Sequence, residues 1–169
     1  MVAKLRTSGV EGDASAYFLL GQWYANGWRV PRDLAQAVTW YRKAADQGDA
    51  EAQNNLGLMY ETGKGVPQDH MQAVVWFRKA AEQGRADAQV NLGWMYRHGQ
   101  GVPQDFALAV AWYRKSAEQD NRCAQADLGR MYEDGTGVAQ DFAQAHKWQS
   151  LAASRARAVK EYTERRDAL

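Results

Sequence analysis

A single cysteine, Cys123, among 169 residues excludes any disulfide within the chain, which suits a reducing compartment. It falls near the start of an expected helix, no histidine stands at a matching site, and it is not read as a nucleophile. Charge of one sign is lacking too: 21 basic against 20 acidic residues leave +1. No basic field is present to draw nucleic acid or an anionic membrane. No apolar stretch has the length of a transmembrane helix, so direct membrane insertion is not expected. The opening MVAKLRTSGVEG has no apolar run of signal-peptide length. These residues read as a cytoplasmic protein, and a periplasmic or secreted one whose signal had been removed would look the same. Histidine is scarce, and His70, His98 and His146 fall in three different columns of the pattern described next, without metal-ligand spacing. There is no nucleophile elbow and no phosphate loop. No enzyme, cofactor, metal or catalytic residue is expected.

What the chain does have is repetition. Gly21, Gly57, Gly93 and Gly129 are 36 residues apart. Tyr24, Tyr60, Tyr96 and Tyr132 keep that step, as do Val30, Val66, Val102 and Val138, Asp33, Asp69, Asp105 and Asp141, and Trp40, Trp76, Trp112 and Trp148. Five columns in register mark a repeat array rather than a single globular core. The units are 13–48, 49–84, 85–120 and 121–153, after a lead-in over 1–12 and before a capping helix over 154–169.

Within the second unit a first helix is expected from about Ala50 to Thr62, with Asp49 as N-cap. Ala52, Leu56, Gly57 and Tyr60 share one face. Gly57 costs roughly 1 kcal/mol in a helix interior relative to alanine, and its fourfold recurrence implies that close packing offsets this. Gly63 stops the helix, Val66 plugs the connection, and Pro67 blocks extension. Asp69 opens the second helix, and Asp69 with Gln72 has the capping-box pattern. Asp105 with Leu108 lacks its second half. Ala73, Trp76, Phe77 and Ala80 form an apolar stripe. Arg29 replaces a loop glycine in the first unit. In the fourth, Ala139 replaces proline, Gln149 the aromatic and Leu151 a lysine, and Asp120 replaces the preceding glycine.

The unit A-x-x-x-L-G-x-x-Y-x-x-G-x-G-V-x-x-D followed by A-x-x-W-Y-x-K-A-A-x-Q-G resembles the Sel-1-like repeat, a relative of the tetratricopeptide repeat. It reads here Ala52, Leu56, Gly57, Tyr60, Gly63, Gly65, Val66, Asp69, then Ala73, Trp76, Phe77, Lys79, Ala80, Ala81, Gln83, Gly84. The resemblance covers about residues 13–153. It implies an all-α, right-handed superhelical solenoid of four helix-turn-helix repeats plus a C-terminal capping helix. It also implies an adaptor or scaffold for a protein or peptide partner, as a monomer or weak homo-oligomer. The closing RDAL resembles the start of a longer helical element. Links of some relatives to β-lactam or peptidoglycan binding imply an alternative, a binder of a small molecule or cell-wall fragment. A structural or oligomerisation module is the third reading.

Columns that vary between units point to where a partner is held. Phe18, Asn54, Val90 and Ala126 form one, Gln22, Leu58, Trp94 and Arg130 a second, and Ala25, Glu61, Arg97 and Glu133 a third. Spaced i, i+4, i+7, they share a face of each first helix, which lines the concave groove in tetratricopeptide-like solenoids. Asn55 and Asn91 share a further column with Leu19 and Asp127, where an asparagine in tetratricopeptide relatives can hold a ligand's backbone. The candidates for partner binding are Phe18, Gln22, Asn54, Asn55, Leu58, Asn91, Trp94, Arg97, Arg130 and Glu133, with Trp94 the expected aromatic anchor.

Overall fold

Four aspartates spaced 36 residues apart each start a helix, and four glycine-led turns each end one. The computed structural model describes the backbone of residues 13–167 and the side chains of 13–154; the lead-in over 1–12 lies outside the described residues. Among these the fold is all-α, with eight helices and no strand: α1 Ala14–Asn26, α2 Leu34–Asp46, α3 Ala50–Thr62, α4 His70–Glu82, α5 Ala86–His98, α6 Phe106–Glu118, α7 Arg122–Asp134 and α8 Phe142–Asp167. They divide into two compact units. One runs to Ala88 and includes Gln100–Val102; the other is Gln89–Gly99 with the chain from Pro103 onward.

The first helix of the second repeat spans Ala50–Thr62, as its pattern predicts. The Asp49 carboxylate accepts from the Ala52 amide at 2.7 Å, and Gly63 ends the helix at φ 68°, a left-handed conformation that costs glycine least. The second helices start differently from the capping-box expectation. Asp33, Asp69, Asp105 and Asp141 each accept from the amide three residues on, at 2.9–3.0 Å. Their own amides donate at 2.9 Å to the carbonyls of Tyr24, Tyr60, Tyr96 and Tyr132. The N–H that a box glutamine would satisfy is already used, so Leu108 serves as well as Gln72.

The glycine column is explained by rings. A Cβ on Gly57 would lie 2.6 Å from Cδ1 and Cε1 of Phe77, and one on Gly21 2.5 Å from Cδ1 of Tyr41. In the first three repeats the two helices therefore meet through glycine against an aromatic face; in the fourth, Gly129 faces Gln149. In the first unit, Ala37, Val38, Tyr41, Ala44 and Ala45 of α2 join Ala52, Leu56 and Met59 of α3 and Trp76 of α4 in one core. In the second, Ala109, Val110, Tyr113 and Ala117 join Ala124, Leu128, Met131 and Trp148. The tryptophan column divides: Trp76 and Trp148 are buried, whereas Trp40 and Trp112 are half-buried. A lysine ammonium sits 4.1 Å from the Trp76 ring centroid, Lys79, and 4.2 Å from that of Trp112, Lys115. Where Leu151 takes the lysine position, Lys147 reaches Trp148 at 4.7 Å instead.

The second loop glycine has a different task. Gly65, at φ 76°, would place a Cβ 2.4 Å from the Leu34 carbonyl oxygen, and Gly101, at φ 70°, one 2.2 Å from that of His70. Each loop thus rests on the backbone that opens an earlier second helix. Arg29 holds φ 61° with a side chain, and its guanidinium lies 5.1 Å from the Trp23 ring centroid. Asp120 likewise keeps φ 67°. The glycines it replaces, Gly48 and Gly84, have nothing within 4 Å of a built Cβ, so the space there admits a side chain. From Phe142 to Asp167 there is neither glycine nor proline, and α8 passes residue 154 without a break.

Side-chain amides tie repeats together inside each unit. Gln53 is 4% exposed; its Nε2 donates to the Ala45 carbonyl at 3.1 Å and its Oε1 accepts from Gln83 Nε2 at 2.8 Å. Gln125 donates to Ala117 at 3.2 Å, and Gln119 to Gln89 at 2.8 Å. Buried amides without such partners would cost about 1–3 kcal/mol each.

Candidate partner-binding site

In the first unit the variable columns divide between packing and surface. Asn54 is buried, 6% exposed, a position set by its place between the helices rather than on an open face. Phe18 is half-buried and lays its ring 5.8 Å from that of Tyr41. Gln22, Asn55 and Leu58 come together. With Asn26, Tyr41 and Lys64 they line an open cleft of about 440 Å³ formed by α1, α2 and α3. Its wall is apolar at Leu58 and Met59 and amide-bearing at Gln22, Asn26 and Asn55, a mixture that suits a backbone with one apolar side chain. Tyr41 forms the floor. Burial pushes its phenol up to about 12; a hydrogen bond with Asn55 works in the opposite direction and the charge of Glu51 adds to the rise.

In the second unit the equivalent surface is ionic. Arg97 Nη1 donates to Asp127 Oδ1 at 3.3 Å, and Arg130 Nη1 lies 3.8 Å from the same oxygen. Two guanidiniums therefore share one carboxylate. The arginine and aspartate side chains of the closer pair are 27% and 24% exposed, so this pair is worth more than a fully solvated one but remains sensitive to salt. Beneath it the Tyr113 hydroxyl is fully buried, facing Arg97 and Asp127. Burial first, then the Asp127 charge, push its phenol well above the tyrosine range, with Arg97 opposing. Asn91 and Trp94 are half-buried. The Trp94 ring centroid lies 4.3 Å from that of His98, the two planes tilted by 31°, and the His98 Nδ1 is 2.9 Å from the Trp94 carbonyl. Glu133 is exposed and accepts from Gln149 at 2.8 Å. Arg97 and Arg130 are brought together, and Glu133 is held apart on Gln149.

The floor of both surfaces, Tyr41 and Tyr113, was not among the sequence candidates. Its signal is the column Tyr41, Phe77, Tyr113 and Gln149, which keeps the 36-residue step and lies under the glycine column. Both phenols are held protonated above their unfolded pKa near 10. The stability this confers is complete below about pH 10 and is lost as pH rises toward 12, at up to about 1.4 kcal/mol per pH unit for each tyrosine. Urea midpoints at pH 9 and 11 are expected to fall less in Tyr41→Phe and Tyr113→Phe than in the parent chain; equal falls would contradict this assignment.

Among the described residues no group of three or more His, Cys, Asp or Glu is placed to hold a metal ion, and no helix is long and apolar enough to cross a membrane.

The Sel1 repeat family model matches residues 14–49, 50–84, 86–121 and 124–156. Among solved structures, the chain is similar to a protective antigen of uropathogenic Escherichia coli strains displaying an SLR fold, with 43% identity and a TM-score of 0.87. That match covers 92% of this chain and 33% of the antigen. It is similar also to a Sel1 repeat protein from Oxalobacter formigenes, with 38% identity and a TM-score of 0.85, over 91% of this chain and 63% of that one. Cysteine rich protein B of Helicobacter pylori, at 23% identity and a TM-score of 0.58 over 76% of this chain and 92% of that one, shares the fold. The chain thus spans a third of the first of these proteins and under two thirds of the second. A search among curated proteins returned no match.

Proposed function

Because the chain belongs to the Sel1 repeat family, whose members are generally protein-interaction scaffolds and typically non-enzymatic, we propose that it is an adaptor holding a peptide or extended protein segment on the faces of its first helices. The observation that carries this reading is the cleft of about 440 Å³ in the first unit, which gathers Gln22, Asn55 and Leu58 around Tyr41. Asn55 and Gln22 offer amides to a partner's backbone, and Leu58 with Met59 offers an apolar seat for one side chain. Desolvating such a seat is where interface energy concentrates. Trp94, Arg97 and Arg130 give the second unit an aromatic and two cations on the corresponding face. A protein partner, no nucleic acid, no membrane insertion and a monomeric or weakly self-associating chain, placed in the cytoplasm, complete the proposal.

The test is selection of extended peptides from a displayed random library against the whole chain, followed by calorimetry with the best binder. Leu58→Arg and Asn55→Ala together are expected to weaken binding at least tenfold, because they charge the apolar seat and remove an amide. Circular dichroism and the urea midpoint are read alongside. Unchanged affinity in the double variant would move the site away from this cleft. Failure to enrich any peptide would count against the adaptor itself.

A further inference from the structure

The second unit carries another cleft, of about 460 Å³, between α7 and α8. Its origin lies in two positions. In the first repeat, Phe18 and Tyr41 fill the corresponding space with two rings 5.8 Å apart. The fourth repeat has Ala126 and Gln149 there, and both line the cleft. Loss of two rings opens a trough whose floor is Ala126, Ala152 and Ala153.

The rim changes in step. The column Ala14, Ala50, Ala86 ends in Arg122, and the column Gln22, Leu58, Trp94 ends in Arg130. Ser15, Glu51 and Asp87 are followed by Cys123, so the acid that the second and third repeats carry in this turn is absent. Arg122 and Arg130 both line the cleft, about 12 Å apart along the helix at 1.5 Å per residue. Arg130 has only a 3.8 Å contact with Asp127, which is bound more closely by Arg97. Two arginines therefore line one open trough floored by alanines, and the acids nearest them are already engaged, Asp127 by Arg97 and Glu133 by Gln149.

The first unit shows what fits such a floor. Tyr41, Ala44 and Ala45, the counterparts of Gln149, Ala152 and Ala153, are packed beneath Ala52, Leu56 and Met59 of α3. The segment that covers this face there is a helix, the next one in the chain. We infer that the α7–α8 cleft docks an acidic helical segment of a partner protein, with carboxylates paired to Arg122 and Arg130 and a small apolar residue seated on Ala126. The inference rests on the adaptor reading only in taking a protein segment as the occupant; its residues are separate from the Gln22–Asn55–Leu58 cleft.

The experiment displays a random library of helical peptides and selects on the whole chain at low salt. Enriched peptides are expected to carry acidic residues seven or eight positions apart. Their affinity should fall at least tenfold in R122E/R130E, several-fold in the milder R122Q/R130Q, and again several-fold on raising the salt, since exposed cations are screened. Bound peptide should also slow alkylation of Cys123 by iodoacetamide several-fold, because the thiol lines the trough. Leu58→Arg should leave all of this unchanged, so failure of the first-unit cleft and failure of this one are distinguishable. The inference is overturned by an enriched pool without acidic excess, or by peptides that bind R122E/R130E as well as the parent. It is overturned equally by stronger competition from a single-stranded oligonucleotide, or by self-association of the chain that the arginine variants abolish, which would make the occupant a second copy.

Discussion

Replacing Gly101 with alanine is expected to destabilise the chain by roughly 4 kcal/mol, an effect of the size reserved for a named structural conflict. Two costs combine. Gly101 holds φ 70°, where an L side chain costs about 1–2 kcal/mol. Its added Cβ would also stand 2.2 Å from the His70 carbonyl oxygen, 2.4 Å from the carbonyl carbon and 2.8 Å from the Met71 nitrogen. Those atoms are backbone at the start of α4, held by the Asp69 cap, and cannot rotate aside as a side chain can. Gly84→Ala supplies the comparison. Gly84 has φ 87° with nothing within 4 Å of its built Cβ, so it should show the conformational cost alone. Urea unfolding of both variants, followed by circular dichroism, measures the gap between them. Similar losses would show that the loop yields and does not rest on the helix start.

The second large effect is at Phe77, which is fully buried against Gly57. Phe77→Ala should cost about 3–5 kcal/mol, as a ring is lost and a cavity remains. Gly57→Ala alone should also destabilise. Helix propensity favours it by roughly 1 kcal/mol, but the new methyl meets the ring at 2.6 Å. The two changes made together should cost less than their sum, because the methyl enters space the ring has left; couplings of about 0.5–3 kcal/mol are usual for touching residues. Strict additivity in a double-mutant cycle would show that glycine is kept at this position for a reason other than the ring.

Period and register made the helices readable. Asp49, Thr62 and Gly63 bound α3 where their spacing says they should, because cap chemistry is local and depends on few residues. The capping box did not form because its second half depends on a carbonyl nine residues back, that of Tyr60, which no local pattern reveals. The site was legible in part for the same reason. Gln22, Asn55 and Leu58 belong to columns that vary between repeats, and they meet at one cleft. Asn54, one position from Asn55, is turned into the interior, and a column of mixed residues does not disclose that. Tyr41 and Tyr113 went unsingled because an aromatic recurring beside a glycine reads as core, and they are core as well as floor. The Arg97–Asp127–Arg130 group links positions 30 and 33 residues apart, a pairing set by how one first helix lies on the next.

The glutamine bonds have a bearing on how such a chain comes apart. Gln53 holds the Ala45 carbonyl of the repeat before it and the amide of Gln83 at the far end of its own. The seam between these two repeats is therefore closed by a buried side-chain amide as well as by apolar contact. Parting them strands that amide, at a cost of about 1–3 kcal/mol. The tie reaches only a next-door partner, so it adds to the nearest-neighbour term that holds such an array together. Like a latch on a hinge, it makes the first loss at that seam the costly one.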